Sequence, residues 1–542
     1  MNLKTHLQTK LSEAAKLADL SPDFIPITSS KDEQHGDLSS SVALSLAKMA
    51  QKPPMEIAEK IIGYFDKNDE FIADVFTSPP GFINFKIHPS YYQSLVTEIL
   101  ESDDSFGKTD IGVGKTANVE FVSANPTGPL TVGHGRQAVL GDIVANILEW
   151  HGFVVTREYY FNNAGRQMRL LAESVEARYR ELTDGIVDFP EDGYQGNYIK
   201  EIASDILKEH GKDLENGDEL FRKTAEEVIF NDIKSSLKYL GVIHDQFSNE
   251  KTFYETGAID KTISDLKEKD LIYEADGATW FKTTSLGMDQ DRVLIKSTGE
   301  PTYRLPDIAY HINKVERGFD FIIDIFGSDH VDTYPDVLAA VGALGYKTDH
   351  FKVLIHQFVT LLKDGQKVKM STRKANFVTL KELIDDVGVD VVRYFFIMRS
   401  MNSHLNFDLD LATDQSEKNP VFYLQYAHAR ICNIIKHGEH LGVDTKANFD
   451  ASLLNHKAEL ELLKTTGQFT DIMEIAYTTL EPQGITNYLQ DLATKFHKFY
   501  GECRVITDDQ KLTSARIALI NTVKVILSNG LKVLGISAPE RM

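Results

Sequence analysis

Cysteine is almost absent: Cys432 and Cys503 are the only two in 542 residues. Two thiols cannot form a disulfide framework or a four-ligand zinc site, so they read as buried thiols of a reducing compartment, with no protein-bound structural metal. Long apolar runs are missing too. No stretch approaches the roughly 20 residues of a membrane-crossing helix. The start, MNLKTHLQTKLSEAAKLADL, mixes charge and apolar residues at helical spacing, unlike a signal or transit peptide. A cytoplasmic chain with no membrane contact is the expectation. A basic surplus is also lacking: 58 Lys+Arg against 80 Asp+Glu leave a net charge of −22, which argues against indiscriminate nucleic-acid binding. Residues 421–542 are the exception, with thirteen basic and thirteen acidic side chains. Any RNA contact must then come from local basic and aromatic patches. There is no Ser/His/Asp or Cys/His constellation, no internal repeat and no low-complexity segment.

The length suits roughly three domains, and three blocks emerge. In residues 1–105, Thr5 to Leu17, Leu38 to Met49 and Ile57 to Phe65 carry helical apolar spacing, with Lys52-Pro53-Pro54 as a break. GFINFKI alternates as a half-buried strand, with Ile83, Phe85 and Ile87 on one face. This block reads as a small α+β domain. In residues 106–413, strands alternate with helices: Val119 to Ser123, the VGHGR turn, a helix with Val139/Leu140, Ile143/Val144 and Ile147/Leu148 on one stripe, then Phe153 to Val155. FIIDIF (321–326), a helix over Tyr334 to Leu344 and a strand over Phe351 to Ile355 continue the pattern. The fold class is therefore α/β, a doubly wound Rossmann-type parallel sheet with ligands expected at the carboxyl ends of its strands. Residues 166–250 form a charged helical insertion. Residues 414–542 read as an all-α bundle, with segments Asn419 to His437, Ala451 to Leu480, Ile485 to Arg504 and Lys511 to Leu534.

At VGHGR, Gly133 and Gly135 let backbone approach an anion, the following helix aims free N–H groups at it, and His134 and Arg136 add donors. A triphosphate suits such a site, although a strand-to-helix turn with a capping histidine has the same spacing. The longer string EFVSANPTGPLTVGHGRQAVLGD (120–142) resembles the first signature of class I aminoacyl-tRNA synthetases, specifically the arginyl-tRNA synthetase family. VKMSTRKANFVTL (368–380) resembles its second, Lys-Met-Ser-type loop. DGATWF, DRVLIKSTGEPTYRLPDIAYH, FGSDH, DVVRYFFIMRS, LNFDLDLA, NPVFYLQYAHARIC and LGISAPERM follow in the family's order, so the resemblance covers nearly the whole chain.

The resemblance implies a two-step reaction: arginine's carboxylate attacks the α-phosphate of ATP, and the 2′-hydroxyl of the terminal adenosine of tRNA(Arg) takes the arginyl group. Positioning and charge stabilisation would carry both steps. L-arginine, ATP and tRNA(Arg) are the implied partners, Mg2+ arrives with ATP, and a monomer is the family's habit. His134, Gly133, Thr131, Lys369, Ser371 and Arg373 are implied to act on the phosphates, with Gly135, Gly327, Asp329, His330 and Met370 binding ATP. Thr131 stands where the motif's first histidine is usual, and Thr372 where its second lysine is, with Arg373 and Lys374 following. Glu120, Ser123, Asn125, Tyr303 and Asp307 are implied to bind arginine, whose fixed fork of donors needs planar acceptors. In the helical domain, Tyr423 and Tyr426 beside Arg430 offer faces on which unstacked bases could lie, and Met542 falls near the anticodon. QHGDLSSSVALSLAK lies in the domain that touches the tRNA's outer corner. Three rivals are a class I synthetase for another amino acid such as cysteine, a nucleotidyltransferase without an RNA substrate, and a silent tRNA-binding relative. The absence of a zinc cysteine set and the presence of TYRLPD speak against the first, the second has no use for residues 414–542, and the third is opposed by His134, Asp307 and Asp329.

Overall fold

The computed structural model describes residues 3–30, 32–163, 165–185, 188–215, 217–368, 378–443 and 449–542. By internal contacts the chain divides into two units. One comprises Met1–Asp103, Asn433–Gln468 and Thr494–Val525; the other comprises Asp104–Cys432, Phe469–Ala493 and Ile526–Met542. The helical final third thus contributes to both.

In the first unit an antiparallel sheet runs in the order Thr28–Ser29, Leu38–Ser40, Phe82–Ile87, Ile72–Ser78. Ile83, Phe85 and Ile87 are buried and Lys86 is exposed, as the alternation predicts. Asn84 departs from it: it is buried on the other face and its amide donates to Ser78 Oγ at 2.8 Å. The helix expected from Leu38 begins only at Val42. Leu38–Ser40 is extended instead because it pairs with Ile83 to Phe85, a long-range ladder that outweighs local spacing. The segment expected over Ala451 to Leu480 is two helices, Lys457–Thr466 and Phe469–Thr479, broken at Gly467.

The second unit is built on five parallel strands: β1 (Thr116–Glu120), β2 (Val154–Phe161), β3 (Gln246–Asn249), β4 (Phe321–Gly327) and β5 (Phe351–His356). Their lateral order is β5-β4-β1-β2-β3. Chain order reverses between β1 and β4, which opens a crevice at their carboxyl ends. The insertion supplies helices Arg166–Asp184, Asn197–His210 and Glu219–Tyr239, but it is not helical to its end. Its last residues are β3, an edge strand that covers β2. Helix α1 (Val132–Trp150) follows β1, and α2 (Arg304–Glu316) precedes β4.

Helix α1 is buried on almost every side, with Val139, Leu140, Ile143, Val144, Ile147 and Leu148 fully enclosed. Each such side chain contributes about 1.5–3 kcal/mol. Gly141 has no room for a Cβ because the Phe121 ring fills that space. This packing pins the first turn of α1 at the end of β1. Arg393, in helix Val389–Ile397, ties the layer together: it donates to Asp142 of α1 at 2.6 Å, to the Leu240 carbonyl at 3.2 Å and to the Leu534 carbonyl at 3.1 Å. Arg393→Met should therefore cost about 3–5 kcal/mol of stability, since it strips a buried acid and two carbonyls of their partner. Urea unfolding measures this, and a loss below about 1 kcal/mol would contradict it.

Candidate active site

At the first turn of α1, Thr131 is the N-cap and its backbone N–H donates to His134 Nδ1 at 3.2 Å. An amide N–H can only donate, so Nδ1 is the acceptor and the neutral ring carries its proton on Nε2. Burial pushes the His134 pKa down to about 4, only partly opposed by Asp329. His134 is thus a neutral donor near pH 7. The two glycines differ. A Cβ on Gly133 would meet nothing nearer than Thr131 Oγ1 at 3.7 Å, whereas one on Gly135 would fall 2.5 Å from Leu380 Cδ1. The Gly135 N–H also already donates to the Thr131 carbonyl at 3.0 Å. Gly135 is a packing glycine; Val132 and Gly133 offer the unspent amides of the turn. Arg136 does not join the anion site expected of it. It is fully buried and donates to the carbonyls of Gln357, Ser400 and Ser403 at 2.6, 3.0 and 3.1 Å.

Beyond β1 the backbone turns through positive φ at Val122 (70°) and Ser123 (40°). That region is costly for a β-branched residue, and the turn is held by side chains. Ser123 Oγ donates to Glu120 Oε1 at 2.8 Å and accepts the Tyr160 N–H at 3.0 Å. Glu120 also accepts from the ammonium of Lys314, which is fully buried and reaches Asp324 of β4 at 2.5 Å. His311 donates from Nδ1 to the Asp307 carbonyl at 2.7 Å, and its Nε2 lies 3.2 Å from Asp324 Oδ2. Both ring nitrogens face acceptors, so the ring is an imidazolium. Burial opposes that charge, and Asp324 overrides it. Arg317 completes the set by donating to Glu158 at 2.7 Å. Lys314, His311 and Arg317 therefore balance Glu120, Asp324 and Glu158, three charges of each sign.

Two acids stand outside that balance. Glu250 is buried and accepts from Tyr160 Oη at 3.0 Å. Asp307, on the first turn of α2, has no side-chain hydrogen bond or ion pair among the described residues. Burial first, then Glu120 and Glu250, push its pKa up to about 7 against the pull of His311 and Lys314. Burial also raises Glu250. Such a pocket has acids to spare for a cation. Tyr303 is exposed at the N-cap of α2, with the Arg304 guanidinium 5.3 Å from its ring centre. Asn125 is exposed and donates to Gln167 Oε1 at 2.7 Å.

At the end of β4, the Asp329 carboxylate folds back over Gly327, where a Cβ would meet its Oδ1 at 2.5 Å. Asp329 remains exposed, and His330 stacks on Phe326 at 5.2 Å. His356, at the end of β5, was not singled out from the sequence. It is buried, and its Nε2 has no hydrogen-bond partner among the described residues. Burial lowers its pKa to about 4. Thr379 pairs with Thr131, so the chain re-enters beside the glycine turn. Lys369, Met370, Ser371, Thr372, Arg373 and Lys374 lie outside the described residues. In helix Pro420–His440, Tyr423 and Tyr426 are half-buried, and Tyr426 Oη accepts from Arg430. Met542 is exposed.

Family models match three stretches: an arginyl tRNA synthetase N-terminal domain over residues 1–87, a class I (R) tRNA synthetase catalytic domain over 95–397, and a DALR anticodon-binding domain over 424–542. The chain belongs to the arginyl-tRNA synthetase family. It is 50% identical to an arginine–tRNA ligase of Chlorobaculum parvum, covering 96% of each chain. It is 47% identical to one from Salinibacter ruber over the full length of both. The Thermus thermophilus arginyl-tRNA synthetase shares the fold across both whole chains, with a TM-score of 0.80 at 20% identity.

Against that family background, Lys314, His311, Asp324 and Glu250 are the residues that reading the motifs missed. Asp307, His311 and Lys314 fall at i, i+4 and i+7, one stripe of α2, and Asp324 interrupts an otherwise apolar strand; both signals were available. Nothing local marks Glu250. The Asp307 carboxyl has a pH consequence. Its native pKa of about 7 lies above the unfolded value of about 3.9, so the stability it lends below pH 4 is lost as pH rises to 7. Asp307→Asn should then raise the melting temperature clearly at pH 8 and much less at pH 5. Calorimetry at the two pH values decides this; equal shifts would contradict it.

Proposed function

We propose that the crevice over the β1–β4 switch point joins L-arginine to ATP and then delivers the arginyl group to the 2′-hydroxyl of the terminal adenosine of tRNA(Arg). The chain is an arginine–tRNA ligase of class I; what is proposed is which side chains carry each part. The observation that carries the reading is the pair of acids, Asp307 and Glu250, left without a counter-charge in a cluster that is otherwise neutral. A guanidinium supplies the missing cation and five planar donors. Glu120 and Ser123 border the same pocket, and Asn125 and Tyr303 stand at its solvent edge, suited to the α-amino end and to closing over the ligand.

ATP lies across the glycine turn. The Gly133 amide and His134 Nε2–H donate to phosphate oxygens as arginine's carboxylate oxygen bonds to the α-phosphorus and the bond to the β-phosphate oxygen breaks. Asp329 accepts from ribose hydroxyls beside Gly327, and His330 lies along the same edge. Thr131 acts by holding His134 in its donor tautomer, and Gly135 by letting α1 pack close to Leu380. Because His134 is neutral and Arg136 is occupied, positive charge must come from Lys369 or Arg373, with Met370 and Ser371 in the same segment, and from Mg2+. That ion would arrive with ATP, held mainly by phosphates and water. Tyr423, Tyr426 and Met542 are assigned to the anticodon end and the N-terminal domain to the tRNA's outer corner. The family's habit supports a cytoplasmic monomer.

ATP–pyrophosphate exchange tests this. Arginine alone among amino acids should support exchange, and only with tRNA present. Asp307→Ala should lower kcat/KM for arginine by about 30-fold or more, equivalent to losing at least ~2 kcal/mol. A loss within tenfold would sink the guanidinium assignment. In the unaltered enzyme the KM for arginine should fall roughly tenfold from pH 6 to pH 8, as Asp307 ionises around 7. A flat profile would count against Asp307 as the guanidinium's partner.

A further inference from the structure

Lys314 lies behind the crevice, between the two strands that flank it. It is fully buried near the end of α2, with its ammonium between Glu120 of β1 and Asp324 of β4 and 4.5 Å from the centre of the Tyr310 ring. One oxygen of Glu120 takes this ammonium and the other takes the Ser123 hydroxyl. Every proton offered to that carboxylate therefore comes from inside the protein, and its remaining lone pairs can only accept. The same holds for Asp324, which lies between Lys314 and His311. Helix α2 thus carries both the unpaired Asp307 and the cation that orients Glu120, two turns apart.

We propose that Lys314 is the positioning residue that makes the pocket specific for a guanidinium. By filling the inner side of Glu120 it turns that carboxylate into a pure acceptor of fixed orientation, facing a ligand that has only donors at its end. A neutral isostere such as citrulline replaces one NH2 group with a carbonyl oxygen, so it meets acceptor against acceptor. Remove the ammonium, and Glu120 and Asp324 are left as a buried acid pair that must take up a proton from water. An O–H then exists where only lone pairs stood, and citrulline's oxygen can receive it. The inference rests on the proposed arginine site, with Glu120, which borders it, as one of the guanidinium's acceptors.

The test uses the full-length enzyme with tRNA in ATP–pyrophosphate exchange, with citrulline as the competing probe. Two variants are compared with the parent: Lys314→Met, and Lys314→Met with Asp324→Asn, which removes one charge of each sign and so protects folding. In both, the KM for arginine should rise at least tenfold while the KM for ATP stays within about twofold. The preference for arginine over citrulline should narrow at least tenfold. A merely structural role would move the arginine and ATP constants together and leave the preference unchanged, and that result would overturn the proposal. So would an arginine KM within twofold of the parent in a variant that melts cooperatively. Glu120→Gln separates the two levels. If it leaves the arginine KM unchanged, the arginine site itself is misassigned and the inference goes with it. If it raises that KM while the Lys314 variants do not, only the inference about Lys314 is overturned.

Discussion

A lysine sealed from water holds the crevice of this enzyme together. Taking an ammonium out of water costs several kcal/mol even after relaxation, and the cost is recovered only where geometry and counter-charges are good. Lys314 therefore needs Glu120 and Asp324 where they are, paired in register on two neighbouring strands, and these need it. The demand spreads outward: His311 must be protonated to serve Asp324, and Arg317 must answer Glu158. Once three charges of each sign are matched, any further acid is in surplus. Asp307 and Glu250 are that surplus, and burial makes each reluctant to ionise until a cation arrives. The proposed specificity for a guanidinium rests on this balance of charge as much as on shape.

The end proposed to hold the phosphates obeys the opposite rule. Its protein donors are neutral, namely two unspent amides and a histidine whose tautomer is set by the Thr131 N–H. Neutral donors hold a polyanion without repelling the cation that accompanies it, and they lose nothing as pH changes near neutrality. The arginine beside the motif, Arg136, went to the interior, where three carbonyls of the segments after β5 and after helix Val389–Ile397 use it. The two ends meet at the turn through Val122 and Ser123. Its strained backbone is repaid by the contacts of Ser123, which bind β1, β2 and Glu120 together.

Much of this was legible in the sequence because it is written locally. The stripe of α1, the apolar strand FIIDIF and the glycine turn each depend on residues within one turn or one pleat, and each formed where spacing places it. Leu38–Ser40 and β3 did not follow local spacing, since both are extended only through a partner strand far away in the chain. Gly133 and Gly135 look equivalent in VGHGR, yet a Cβ would find room on the first and strike the Leu380 side chain on the second. Arg136 reads as an anion donor and is a structural clamp.

The sequence by itself determined the family, the order of the parts and the chemistry on offer, because motif strings and periodicity are properties of neighbours along the chain. Only the tertiary structure decided which charges cancel. Glu120, Glu250, Asp307, Lys314 and Asp324 come from four separate elements, and whether a carboxylate is paired or left in surplus depends on distances that no local pattern contains. NPTGPLTVGHGR marks the turn proposed to hold ATP. That the neighbouring pocket leaves Asp307 and Glu250 without a counter-charge, the feature on which the proposed arginine site rests, appears only when the strands are laid side by side.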